Sequence, residues 1–114
     1  MTKSEAIIEH EGDEKYILVR ILEDGEEKHV VASLPLDYHA DILRELRDRL
    51  DGRAIVSDVL GGGILAIDRS KMEIRTYGMS GSFGGPPVDL VREVLSENFP
   101  EYSIEAKVTG YIRG

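Results

Sequence analysis

Cysteine is absent from the 114 residues, which removes disulfides, thiolate zinc sites and thiol nucleophiles together. Glutamine is absent too and Asn98 is the sole asparagine, a depletion of thermolabile side chains that resembles thermophile composition. No apolar run is long enough to span a bilayer. The acidic start, MTKSEAIIEHEGDEKY, lacks the apolar block of a signal peptide, so a cytoplasmic protein with no membrane role is expected. Positive charge is in deficit: 14 Lys and Arg against 22 Asp and Glu give a net charge of -8 and a pI near 4.8. Nucleic acids and anionic membranes are therefore disfavoured as partners. An anionic ligand would have to be drawn in by local donors against that global field.

The length suits one domain, residues 1–114, with residues 1–14 a peripheral segment that includes at most a short edge strand at AIIEH. KYILVRIL, residues 15–22, is apolar on both alternating faces, the pattern of a central strand covered on each side. The Asp-Gly of LEDGEE then turns the chain into KHVVAS, completing a hairpin. A helix is written in LPLDYHADILRELRDRL: Asp37 is placed to cap it, Ile42, Leu43, Leu46 and Leu50 recur on one face, and Gly52 suits a left-handed end. AIVSDVL, GILAID and KMEIRTYG read as three short strands, with the triple glycine a tight turn between the first two. Pro86 and Pro87 suit the first turn of a second helix whose stripe is Val88, Val91, Leu95 and Phe99. YSIEAKVTGYI alternates as a last strand. The order predicts an α/β (α+β) fold, a single mixed sheet of about six strands with a helix on each face.

Three places could carry chemistry. His39 falls in the first turn of the first helix, in line with Ile42 and Leu43. Unpaired N–H groups and the helix dipole favour an anion there and disfavour imidazolium. An uncharged ring is what a general base or nucleophile requires, although a ring that only packs and bonds locally is the simpler reading of position alone. The second place is YGMSGSFGGPP. Glycines 78, 81, 84 and 85 let amides turn inward and Ser80 and Ser82 add hydroxyls, a sensible phosphate cradle or else a flexible connection. It lacks the Gly-Lys-Ser/Thr ending of a nucleotide P-loop. The third, LGGGIL, is a turn or a site of close backbone approach. His10, His29 and His39 lack metal-ligand spacing, and no nucleophile elbow supports a Ser-His-Asp triad.

Taken in order, KYILVRI, YHADIL, GGG, YGMSGSFG and FPEYSIEAKVTGY resemble the phosphohistidine phosphatase family, which includes the Janus/ocnus proteins. The similarity spans Lys15 to Tyr111. It implies a metal-independent, cofactor-free phosphatase acting on the P–N bond of a phosphohistidine-containing protein or a small phosphoamidate. By resemblance His39 is the catalytic histidine, and Ala40 offers a backbone N–H. Ser80, Gly81 and the N–H of Ser82 hold the phosphate, and Lys15 neutralises its charge. Eukaryotic members carry arginines where this chain has Ile64 and Val31, leaving Arg20 and Arg75 as possible replacements. Two further readings stay open: a non-catalytic phospho-ligand binding domain on the same fold, and an acidic interaction protein in which His39 is structural.

Overall fold

The structure, a computed structural model, describes residues 4–108 and the backbone of residues 112–113. Its elements are β1 (Ser4–Ile8), β2 (Gly12–Glu23), β3 (Glu26–Ser33), α1 (His39–Leu50), β4 (Ile55–Asp68), β5 (Glu73–Tyr77), β6 (Met79–Ser80), α2 (Val88–Asn98), β7 (Ser103–Ala106) and β8 (Ile112–Arg113). Six strands form one mixed sheet in the order β1-β3-β2-β4-β5-β7. β1 and β7 are the parallel edges, and the pairs between are antiparallel. The β2–β3 hairpin turns on Asp24 and Gly25, both at positive φ, as the Asp-Gly signal required.

The double-sided hydrophobicity of β2 places it at the centre of the sandwich. Ile17, Val19 and Ile21 point to one face and pack with Val30, Ala32 and the Ile42, Leu43, Leu46 and Leu50 stripe of α1. Tyr16 and Leu18 point to the other, with Val31, Leu65, Ile67 and the Val91, Val94 and Leu95 stripe of α2. Val88 and Phe99 extend that second cluster at its edges. Among the described residues no helix is long and apolar enough to cross a membrane.

Four local expectations are corrected. Asp37 does not cap α1; Tyr38, in extended conformation, holds the N-cap position without a side-chain bond, because the helix begins one residue later than an Asp37 cap would need. At the other end Asp51 itself takes the left-handed cap, φ 47°, and Gly52 follows at φ 80°. The triple glycine is no turn: β4 runs straight through it, paired with β2 on both sides of an irregularity between Leu18 and Val19. The final strand stops at Ala106 rather than continuing to Ile112. Val108 packs against Gly85 instead, and Ile112 and Arg113 pair in parallel with β6 in a separate two-stranded sheet. Residues 109–111 of that expected strand lie outside the described residues.

Candidate active site

The glycines of β4 create the site by what they leave out. A Cβ on Gly61 would lie 2.6 Å from the Pro86 backbone, and one on Gly63 would lie 2.7 Å from the Tyr77 carbonyl oxygen and 3.2 Å from the Tyr16 ring. A Cβ on Gly62 would lie 2.6 Å from the Tyr16 carbonyl oxygen, 3.0 Å from the His39 ring and 3.4 Å from Ser80 Cβ. Three neighbours therefore sit directly on this backbone: the chain leading into α2, the imidazole, and the serine loop. His39 and Ser80, forty-one residues apart, meet over Gly62.

His39 is the first residue of α1 and is fully buried. Its Nε2 lies 2.9 Å from the Gly63 carbonyl oxygen. A carbonyl can only accept, so Nε2 carries the proton and in the uncharged ring Nδ1 holds the lone pair. Two N–H groups of the helix start are satisfied by Tyr38, whose carbonyl accepts from Asp41 (3.0 Å) and Ile42 (3.3 Å). The N–H of Ala40, an exposed residue, has no acceptor among the described residues. A free amide at the positive end of a three-turn helix is an anion donor.

Ser80 is buried and organises its own loop. Its Oγ accepts from the backbone N–H of Ser82 (3.1 Å) and of Phe83 (3.0 Å), while its carbonyl accepts from Gly84 N–H (2.9 Å). Gly84 in turn accepts from Gly62 N–H at 3.0 Å, tying the loop to β4. Phe83 packs into the α1-side cluster. The Ser82 N–H is thus engaged within the loop, and the Ser80 hydroxyl keeps its own proton to donate. Gly81 and Ser82 form the exposed tip.

Lys15 stands on the α1 side of the sheet, in register with Ile64, one pleat from the Ile17–Gly62 pair and so about 7 Å along the strand. Among the described residues its ammonium has no carboxylate at ion-pair distance. Tyr77 continues that row beyond Ile64, and its hydroxyl donates to Asp13 at 2.6 Å. His39, Ala40, Ser80 and Lys15 thus surround one stretch of β4.

The positions aligned with family arginines separate. Ile64 lies in the Lys15 row, beside the site. Val31 is fully buried on the α2 face, pointing away from His39. Arg20 is bound to Asp58 at 3.3 Å on that same far side, and Arg75 pairs in register with Ala66, four residues and about 13 Å from Gly62. Neither replaces a cation beside the ring. No three His, Asp or Glu among the described residues come together as a metal site.

Two contributors were missed in the sequence: the Gly63 carbonyl that fixes the ring, and the Tyr77–Asp13 bond. The first was legible in principle. An unbroken apolar run, ILAI, follows directly after the glycines without a turn residue, the signature of one strand with a bare patch rather than two strands.

The sequence pattern of the Janus/Ocnus family matches residues 3–103. The chain is 28% identical over 112 residues to a protein named 14 kDa phosphohistidine phosphatase from Sus scrofa, covering 91% of this chain and 89% of that one. It is 32% identical over 111 residues to sex-regulated protein janus-A of Drosophila pseudoobscura pseudoobscura, covering 91% and 74%. To janus-A of Drosophila mauritiana it is 27% identical over 106 residues, covering 91% and 78%. With a match along most of its length, and with the helix-start histidine, glycine-bared strand and serine loop joined in one place, this chain belongs to the Janus/Ocnus family.

Proposed function

We propose that this protein is a metal-independent phosphatase that hydrolyses the P–N bond of protein phosphohistidine, with His39 as the reacting base. The observation that carries the reading is the Nε2–Gly63 bond at the start of α1, which commits the ring to one tautomer beside Ser80. The name of the Sus scrofa relative supports the substrate class.

The phosphoryl group binds across the tip of α1 and the serine loop. Ala40 N–H and the Ser80 hydroxyl donate to its oxygens, Lys15 balances their charge, and Gly81 and Ser82 close around it, the Ser82 N–H exchanging Ser80 Oγ for phosphate. The Ala40 N–H is in place before the reaction, and a donor of this kind aimed at developing charge is worth about 2.7–4 kcal/mol. Nδ1 then deprotonates the attacking water, or attacks phosphorus to form a phospho-His39 that a water molecule hydrolyses to phosphate; in either route the substrate imidazole takes a proton from solvent as its P–N bond breaks and leaves neutral. Because the ring is fully buried, the phosphoryl group reaches it only after a local rearrangement around the site.

The test is phosphate release from phosphohistidine in the presence of a metal chelator. Wild type should be active and His39→Ala inactive. A protein that is inactive yet binds phosphate through Ser80 and Lys15 is a phospho-ligand binding domain. One that does neither, and that loses only thermal stability on His39→Ala, uses the histidine structurally.

A further inference from the structure

Most cations of this acidic chain are neutralised by ion pairs. Among the described residues Lys15, Arg47, Lys71 and Arg75 have no carboxylate at ion-pair distance, and of these Lys15 alone is half-buried while the others are exposed. A cation held partly out of water without a counter-ion is costly unless an anion comes to it. Yet a carboxylate stands within reach. Asp13 lies two residues back on the same face of β2, in register with Ala66 as Lys15 is with Ile64, one pleat or about 7 Å away. Glu14, between them, pairs with Leu65 and faces α2.

Tyr77 occupies that carboxylate instead. It continues the Lys15–Ile64 row on β5, and its side chain crosses to the next row so that the hydroxyl donates to Asp13 Oδ2 at 2.6 Å. A short bond from a phenol to a carboxylate belongs to the stronger class of hydrogen bond. It holds Asp13 across the sheet toward β5, off the line of β2 on which Lys15 stands. Lys15 thus lies between Asp13, one pleat to one side, and the Ile17–Gly62 pair beside His39, one pleat to the other. Its flexible stem is long enough to turn either way. What decides the direction is whether Asp13 is already engaged.

We propose that Tyr77 and Asp13 are a positioning pair: their bond withholds Asp13 from Lys15 and so leaves the ammonium to the anion bound at His39. That this anion is a phosphoryl group rests on the phosphatase reading; the partition of Lys15 between its two sides is read separately. Without the phenol, Asp13 turns along β2 and pairs with Lys15, in competition with the ligand. Neutralising Asp13 removes the competitor, so a loss caused at Tyr77 is undone at Asp13. A bond that only ties β2 to β5 has no such reciprocity. Breaking it at either end is the same loss, and removing both ends restores nothing.

The experiment is a double-variant cycle of Tyr77→Phe, Asp13→Asn and the two together, each titrated with inorganic phosphate and assayed on a small phosphoamidate. Tyr77→Phe should weaken phosphate binding about two- to fivefold, the range of an exposed ion pair, and raise KM by the same factor with kcat changed less. Asp13→Asn alone should bind phosphate at least as tightly as wild type, and the double variant should match it. Nitrogen NMR of the Lys15 ammonium should show coupling through a hydrogen bond to the Asp13 carboxylate in ligand-free Tyr77→Phe and none in wild type. This arm reads Lys15 whether or not phosphate binds. Coupling to Asp13 already present in wild type, unchanged binding in Tyr77→Phe, or a weakening that persists in the double variant overturns the positioning role. The predicted binding cycle without phosphoamidate hydrolysis by any of the proteins overturns the catalytic reading and leaves the positioning pair standing.

Discussion

The imidazole of His39 has two nitrogens in different employment, and its neighbours decide which is which. Gly63 supplies the acceptor that fixes Nε2–H, and Gly62 supplies the room for the ring. Gly62→Ala should therefore act on both stability and catalysis. Its methyl group would press on the Tyr16 carbonyl oxygen at 2.6 Å and on the ring at 3.0 Å, costing about 1–3 kcal/mol by overpacking, readable as a lower Tm. His39→Ala should lower kcat on phosphohistidine by about 100-fold or more, the usual range for losing a general base. Tyr16 lies behind the same carbonyl, its hydroxyl buried beside Thr76 and its pKa pushed up to about 12 by that burial. It stays a neutral packing element across the working pH range.

At the level of elements, the loop between β6 and α2 is held by one hydroxyl oxygen. Ser80→Ala leaves the N–H groups of Ser82 and Phe83 without their acceptor, a loss of about 1–3 kcal/mol for half-buried donors. The expected result is faster amide hydrogen exchange at Ser82 and Phe83 together with weaker phosphate binding; unchanged exchange would show that the loop is held otherwise. The elements themselves were largely legible in the sequence, because β2 shows apolar residues on both faces and the helices show one stripe each. The triple glycine was misread because glycines signal turns and close approaches alike, and only the partners, Pro86, His39 and Tyr77, distinguish them. The site was legible where a residue type carries its own chemistry, as at His39, and illegible where a backbone carbonyl does the holding. Val31 shows the same limit: alignment placed it with phosphate-binding arginines, while strand parity turns it to the opposite face.

For the whole molecule, pH acts on stability through a half-buried histidine that joins the first two strands of the sheet. His10 closes the turn between β1 and β2, its Nε2 against Ser33 Oγ at 2.7 Å while Ser33 donates to the Lys15 carbonyl at 2.8 Å. The ring is half-buried, and burial lowers its pKa from 6.5, against the opposing pull of the Glu11 and Gly12 backbone. The unfolded chain therefore takes up this proton first as pH falls. Stability from His10 is complete above about 6.5 and declines as pH drops toward the lowered folded value. Tm measured from pH 7.5 to 5.5 should fall in wild type, and fall less in His10→Asn, which has no group titrating there. An equal slope in both would assign the acid sensitivity elsewhere.

The central claim is that His39 presents Nδ1, and not Nε2, to the phosphoryl group. Long-range proton–nitrogen NMR on protein labelled at histidine reads this directly, with and without inorganic phosphate. The account predicts an Nε2–H tautomer in the free protein and a phosphate-dependent shift at Nδ1 that disappears in Ser80→Ala. An Nδ1–H tautomer, or an imidazole indifferent to phosphate at saturating concentration, would contradict it.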